Sequence, residues 1–177
     1  YLGSPCKECR AKKDLHLDNL LVASYYKHPL DRAIHCLKYN LVDELAGILG
    51  RLLLNFLTSS GLKIPELILP VPLHPFRMRL RGFNQSELLS REISKNLLPG
   101  TPIPISDSLK RIRRTSPQMK KNSYQERFHN IQNSFAINNT DEISGKSILL
   151  IDDVCTTGAT LFECAKILKK SGVRKVS

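Results

Sequence analysis

Nowhere does the chain carry the roughly 20 uninterrupted apolar residues that a membrane span requires, and its start, Tyr1 to Asp14, lacks the apolar core of a signal peptide. The expectation is a soluble, cytoplasmic protein with no membrane insertion. The five cysteines, Cys6, Cys9, Cys36, Cys155 and Cys164, are odd in number and scattered, which argues against a disulfide framework and suits a reducing compartment. Internal repeats and low-complexity tracts are absent. So are the GxxxxGK(S/T) and GxGxxG patterns, and without them neither a P-loop nor a dinucleotide fold is supported.

Acids are scarce where bases gather. The net charge is +11, from 27 Lys and Arg against 16 Asp and Glu. Lys110, Arg111, Arg113, Arg114, Lys120, Lys121 and Arg127 face a single acid, Glu126, between Lys110 and His129, and Arg77, Arg79 and Arg81 form a second cluster. Phe76, Phe83, Tyr124 and Phe128 interrupt these stretches. Concentrated charge of this kind suits a polyanionic partner, either a pyrophosphate or a nucleic acid. A solvated basic surface is the plainer reading.

At 177 residues the chain suits one globular domain with its own core. Short apolar runs alternate with longer ones of helical period, an α/β pattern. Leu41 to Leu57 reads as a core-facing helix through Leu41, Leu45, Ile48, Leu49, Leu52, Leu53 and Phe56. Leu67 to Val71 reads as a buried strand between Pro65 and Pro72, and Asn84 to Leu98 as a helix, with Asn84 capping and Glu87 completing a capping box. Leu109 to Asn133 is either a mobile loop or a loosely held helix. Phe135 to Ile137 reads as a strand, Asn138 to Gly145 as a turn, Ser147 to Ile151 as a central parallel strand, and Thr157 to Ser171 as a helix closed by Gly172. Val173 to Ser177 looks like the start of another strand, so the chain ends as if cut there.

The segment SILLIDDVCTTGAT puts Asp152 and Asp153 at the carboxyl end of a buried strand, followed by small and hydroxyl residues entering a helix. In open α/β sheets ligands lie beyond the carboxyl ends of strands, where helix N-termini and backbone N–H groups meet phosphate. Gly158 and Ala159 let the backbone approach, while Thr156, Thr157 and Thr160 offer hydroxyls, and two adjacent acids can accept the vicinal hydroxyls of a ribose. An ordinary strand-to-helix turn with capping acids is the bland alternative. The stretch resembles the phosphoribosyl pyrophosphate loop of type I phosphoribosyltransferases. That resemblance implies a mostly parallel twisted sheet flanked by helices, with Asp152, Asp153, Val154, Cys155, Thr156, Thr157, Gly158, Ala159 and Thr160 holding the ribose phosphate. Cys155 reads as a small filler residue.

Three further stretches, LILPVPLHPFRMRLRGFNQ from Leu67, RIRRTSPQMKKNSYQERFHNIQNSF from Arg111 and HCLKYN from His35, resemble the ComF family, amidophosphoribosyltransferase-like proteins associated with DNA uptake in competence. The match runs from Cys6 to Val176. On the residues alone, Pro70 to Pro72 end a strand in a rigid turn whose amides suit an anion. The resemblance places the pyrophosphate at Val71, Pro72 and Leu73 with Arg79 and Arg81, and gives Lys38 the same anion; a solvated helix lysine is the alternative. It places Arg111, Arg114, Gln118 and Arg127 in a closing, catalytic lid. Cleaving the bond between ribose C1 and pyrophosphate separates charge, so magnesium and arginines lower the barrier without a covalent nucleophile. Cys6 and Cys9 form half of a zinc site by spacing, and ComF proteins often carry a four-cysteine ribbon there. The division implied is a partial zinc-ribbon-like segment over residues 1–24 and a phosphoribosyltransferase-like domain over 25–177. Two functions stand side by side. One is a phosphoribosyltransferase, a transferase of the glycosyltransferase class acting on phosphoribosyl pyrophosphate. The other is a non-catalytic module that keeps the site and binds single-stranded DNA beside other competence proteins.

Overall fold

A computed structural model describes residues 16–39, 43–115 and 124–177. The elements run α1 (Leu30–Tyr39), α2 (Asp43–Ser59), β1 (Leu67–Pro70), α3 (Pro75–Arg81), α4 (Gln85–Asn96), β2 (Leu109–Arg111), α5 (Tyr124–Ile131), β3 (Phe135–Ile137), β4 (Ser147–Ile151), α6 (Ala159–Lys170) and β5 (Lys175–Val176). Strands β1, β4 and β5 form a parallel sheet with β4 in the centre. Its other edge is extended by a single parallel bridge from Ile68 to Ile105.

Continuous apolar runs are what a parallel sheet covered on both faces demands. The register pairs Leu67 with Ile148 and Pro70 with Ile151, so alternate residues point to opposite sides. Leu67, Leu69, Ile148 and Leu150 join a core with Ala159, Cys164, Ala165 and Leu168 of α6. Ile68, Leu149 and Ile151 join another with Ile34 and Leu37 of α1, Leu49 and Leu57 of α2, and Leu89 and Ile93 of α4. The result is a three-layer α/β/α domain of the expected class. Leu17 and Leu20 pack on the first core and Leu21 on the second. The amide of Asp18 bonds to the Val176 carbonyl at 2.8 Å.

Several boundaries differ from the sequence reading. The α2 stripe is narrower than expected: Ala46, Leu49 and Leu57 are buried, whereas Ile48 is 53% and Leu52 42% exposed. A run this rich in leucine offers more than one apolar face, and the contact with α4 selects among them. Gly50 sits at that contact, where a Cβ would lie 2.6 Å from the Cβ of Glu92. Residues 109–133 are neither one loop nor one helix. They hold strand β2, antiparallel to β3, and helix α5, while residues 116–123 lie outside the described part. The arginine cluster Arg77 to Arg81 is a short helix, α3, opened by His74 and Pro75 and closed by Gly82 at φ 79°, a start-and-stop pair the sequence reading passed over. Asn84 caps α4 as expected, but the Glu87 carboxylate turns to Arg91 at 2.7 Å.

Because α2 and α4 touch at Gly50, Gly50→Ala should push them apart and cost about 1–3 kcal/mol. Thermal unfolding by circular dichroism should show a midpoint several degrees lower; an unchanged midpoint would contradict the packing.

Candidate functional site

The carboxyl ends of β1 and β4 lie side by side, with the Val71 amide bonded to the Ile151 carbonyl at 2.8 Å. The chain therefore leaves the sheet at two adjacent points, residues 71–74 after β1 and residues 152–158 after β4. Phosphate and sugar sites form at such places in α/β sheets.

After β4 come the two acids. The Asp153 amide donates to Asp152 Oδ1 at 2.9 Å, and Ser86 Oγ donates to the same oxygen at 3.2 Å. Lys38, in the last turn of α1, puts Nζ 2.5 Å from Asp153 Oδ2, both side chains being largely covered. Asp152 keeps some accessible surface, yet its carboxyl is withdrawn from solvent, and that desolvation, reinforced by the neighbouring Asp153 charge, raises its pKa to about 8. The Asp153 amide and Lys38 oppose the rise.

The bend that follows is held by Gly158, whose φ of 73° favours glycine and which serves as N-cap of α6. A Cβ there would stand 2.6 Å from the ring of Phe162, which itself stacks on Phe128 of α5 at 5.9 Å. The helix consequently starts at Ala159 and not at Thr157. Thr157 Oγ1 accepts the Ala159 amide at 3.4 Å. Among the described residues no acceptor is bonded to the backbone N–H groups of Thr156, Thr157 or Gly158. Three successive open donors at the N-terminus of a 12-residue helix are a pattern that suits an anion.

On the β1 side, Val71 is buried and its carbonyl accepts Asn84 Nδ2 at 3.0 Å, while Pro72 and Leu73 line a cleft of about 540 Å³ shared with Asn84 and Arg111. Arg81 Nη1 donates to Gln85 Oε1 at 3.2 Å, and Arg79 is exposed. Arg77, which sequence reasoning left out of the site, donates to the Thr115 carbonyl at 3.2 Å. Thr115 is buried and also accepts Arg111 Nη2 through its hydroxyl. Thr115 stands just beyond the RIRR run, a polar residue with no signal of burial in the sequence. Arg111 lies over the Phe135 ring at 5.4 Å. Burial, and secondarily the like charge of Arg77, lower its pKa to about 10, with Cys164 and Asp152 pulling the other way. Arg114 stacks on Phe76, its guanidinium carbon 3.9 Å from the ring centroid.

The structure thus gathers Asp152, Asp153, the 156–158 amides, Ser86 and Lys38 at one exit, and Val71, Asn84, Arg81 and Gln85 at the other, with Arg111 electrostatically coupled to Asp152. Lys38, expected at the pyrophosphate, is paired with Asp153. Val154 and Cys155 join the two aspartates in lining a largely apolar cavity of about 160 Å³. Cys155, Cys36 and Cys164 form no disulfide. The side chains of Cys6, Cys9, Gln118 and Arg127 lie outside the described residues, and with them the zinc half-site and part of the expected lid.

The parallel, helix-flanked sheet is that of a phosphoribosyltransferase domain, and the family model for the phosphoribosyl transferase domain matches residues 84–177. Competence protein F of Haemophilus influenzae is 34% identical over 182 residues, covering 99% of this chain and 77% of its own. The DNA utilization protein YhgH is 34% identical over 176 residues in both Escherichia coli K12 and Salmonella typhimurium, covering 97% of this chain and 74% of each relative. The chain belongs to the ComF family of phosphoribosyltransferase-like proteins.

Asp152 holds its proton to about pH 8 when folded but only to about pH 4 when unfolded. Its raised folded value means that stability falls as pH climbs between those limits. Asp152→Asn should therefore melt near the wild type at pH 4 and several degrees above it at pH 8.5; a gap independent of pH would contradict the burial of this carboxyl.

Proposed function

We propose that this domain binds 5-phosphoribosyl 1-pyrophosphate together with magnesium and acts as a phosphoribosyltransferase-type protein in DNA uptake. The observation that carries the reading is the juxtaposition of the Asp152–Asp153 pair with the open amides of residues 156–158. The pair suits the vicinal hydroxyls of a ribose and the amides suit its 5-phosphate. The Val71–Leu73 turn and the guanidinium groups of Arg81, Arg77 and Arg111 then face the leaving pyrophosphate. As the bond to ribose C1 lengthens, negative charge grows on the pyrophosphate, and partly buried guanidinium donors stabilise it more than water would. Cys155 takes no covalent part.

Among the described residues no group of three His, Cys, Asp or Glu side chains forms a ready cage for a metal. Asp152 and Asp153 are the acids that would hold magnesium, which would displace the Asp152 proton and compete with Lys38 for Asp153. When bound, the ion would offset the charge of the leaving group. No described helix is long and apolar enough to cross a membrane, and three described cysteines outside any disulfide suit a reducing, cytoplasmic setting.

A second reading rests on the outer side of the site. Phe76, Met78, Leu80 and Ile112 are exposed beside Arg77, Arg79 and Arg114, with Leu80 75% open. Arginines interleaved with an exposed ring suit single-stranded DNA, and the names of the competence and DNA utilization relatives support that partner.

Calorimetric titration with phosphoribosyl pyrophosphate and magnesium should show one binding site, lost in the Asp152→Asn/Asp153→Asn double variant. Fluorescence anisotropy with an oligothymidine should show binding that the double variant keeps and that weakens with a log–log salt slope near −0.7 per phosphate contact. Ligand binding that survives the double variant would refute the site assignment, and salt-insensitive or absent DNA binding would remove the second reading.

A further inference from the structure

The first turn of α4 carries three consecutive polar side chains that are almost wholly buried, Asn84 at 8%, Gln85 at 1% and Ser86 at 3% exposure. Burying such groups is costly unless each is bonded. Their bonds diverge. Asn84 Nδ2 reaches the Val71 carbonyl in the turn after β1 at 3.0 Å. Gln85 Oε1 accepts Arg81 Nη1 at 3.2 Å. Ser86 Oγ reaches Asp152 Oδ1 at 3.2 Å. One helical turn therefore touches the turn, the arginine and the acid.

Helix capping does not account for this. The cap uses Asn84 Oδ1, which accepts the Ser86 amide at 3.2 Å, and a serine or aspartate would supply the same oxygen. Asn84 Nδ2, the Gln85 carboxamide and Ser86 Oγ are surplus to it. Gln85 Nε2 has no partner among the described residues, so the amide is held in place by its contact with Arg81. We propose that Asn84, Gln85 and Ser86 are positioning residues that fix the distance between the two halves of the site. Asn84 and Gln85 set the pyrophosphate half, and Ser86 sets the ribose half by orienting Asp152. This rests on the phosphoribosyl pyrophosphate reading given above.

The division of labour is what separates positioning from plain structural support. Titrations with pyrophosphate and with ribose 5-phosphate, each with magnesium, probe the halves independently. Asn84→Ser keeps a cap oxygen and removes the donor to Val71; it should weaken pyrophosphate by about tenfold, the worth of one such hydrogen bond, and leave ribose 5-phosphate unchanged. Asn84→Asp, which keeps the cap and also lacks the donor, serves as the check if Asn84→Ser melts early. Ser86→Ala should do the reverse, and Ser86→Thr, which retains a hydroxyl, should restore ribose 5-phosphate binding. Equal losses for both ligands in a variant of wild-type melting temperature, or no loss for either, overturns the proposal. Failure of the wild type to bind either ligand overturns the phosphoribosyl pyrophosphate reading itself, which is a distinguishable result.

Discussion

Two carboxylates on adjacent residues cannot both be withdrawn from water and stay ionised without compensation. The neighbourhood of Asp152 and Asp153 is arranged around that difficulty. Lys38 comes from α1 to neutralise Asp153, Ser86 comes from α4 to hydrogen-bond Asp152, and Asp152 answers the remaining strain by holding its proton well above the usual carboxylate range. Three elements far apart in the chain converge on one pair of acids. A cost accepted at this point supports the proposal that the pair is the functional centre, since a structural turn would be served as well by a serine or an asparagine.

The fold makes the convergence possible. Because β1 and β4 are adjacent and parallel, their carboxyl ends open at one edge of the domain, and α4 crosses beneath both exits. Gly158 closes the other side. Its left-handed backbone and the Phe162 ring at Cβ distance leave room for hydrogen alone, so the bend after β4 hugs α6. The proposed anion binding would draw on backbone geometry here and on side-chain charge on the β1 side, where Arg77 and Arg111 share Thr115. Two like charges held together in this way suit the anion proposed for this side.

Much of this was legible in the sequence where one signal dominated. The strand of Ser147 to Ile151, its two acids and the glycine bend read correctly because apolar run, charge and turn residue all agree. The family resemblance extended that reading across the chain. The buried face of α2 did not read, because leucine on several faces leaves the choice to tertiary packing. The segment from Leu109 to Asn133 was obscured by its charge, which hid a three-residue strand whose partner is supplied by β3. The Lys38–Asp153 pair joins residues separated by most of the domain and has no local signature. Asn84 was readable as a cap but not as a tie to Val71, because a capping motif speaks only for the oxygen of the side chain.

The proposed function requires the amides of residues 156–158 to be an open cradle for a sugar phosphate beside the two aspartates. Amide hydrogen exchange measured over residues 152–160, with and without magnesium and phosphoribosyl pyrophosphate, tests it at that point. Fast exchange is expected at Thr156, Thr157 and Gly158 in the free protein, with marked slowing at saturating ligand. Exchange at these three amides that does not change while the ligand is bound would contradict it.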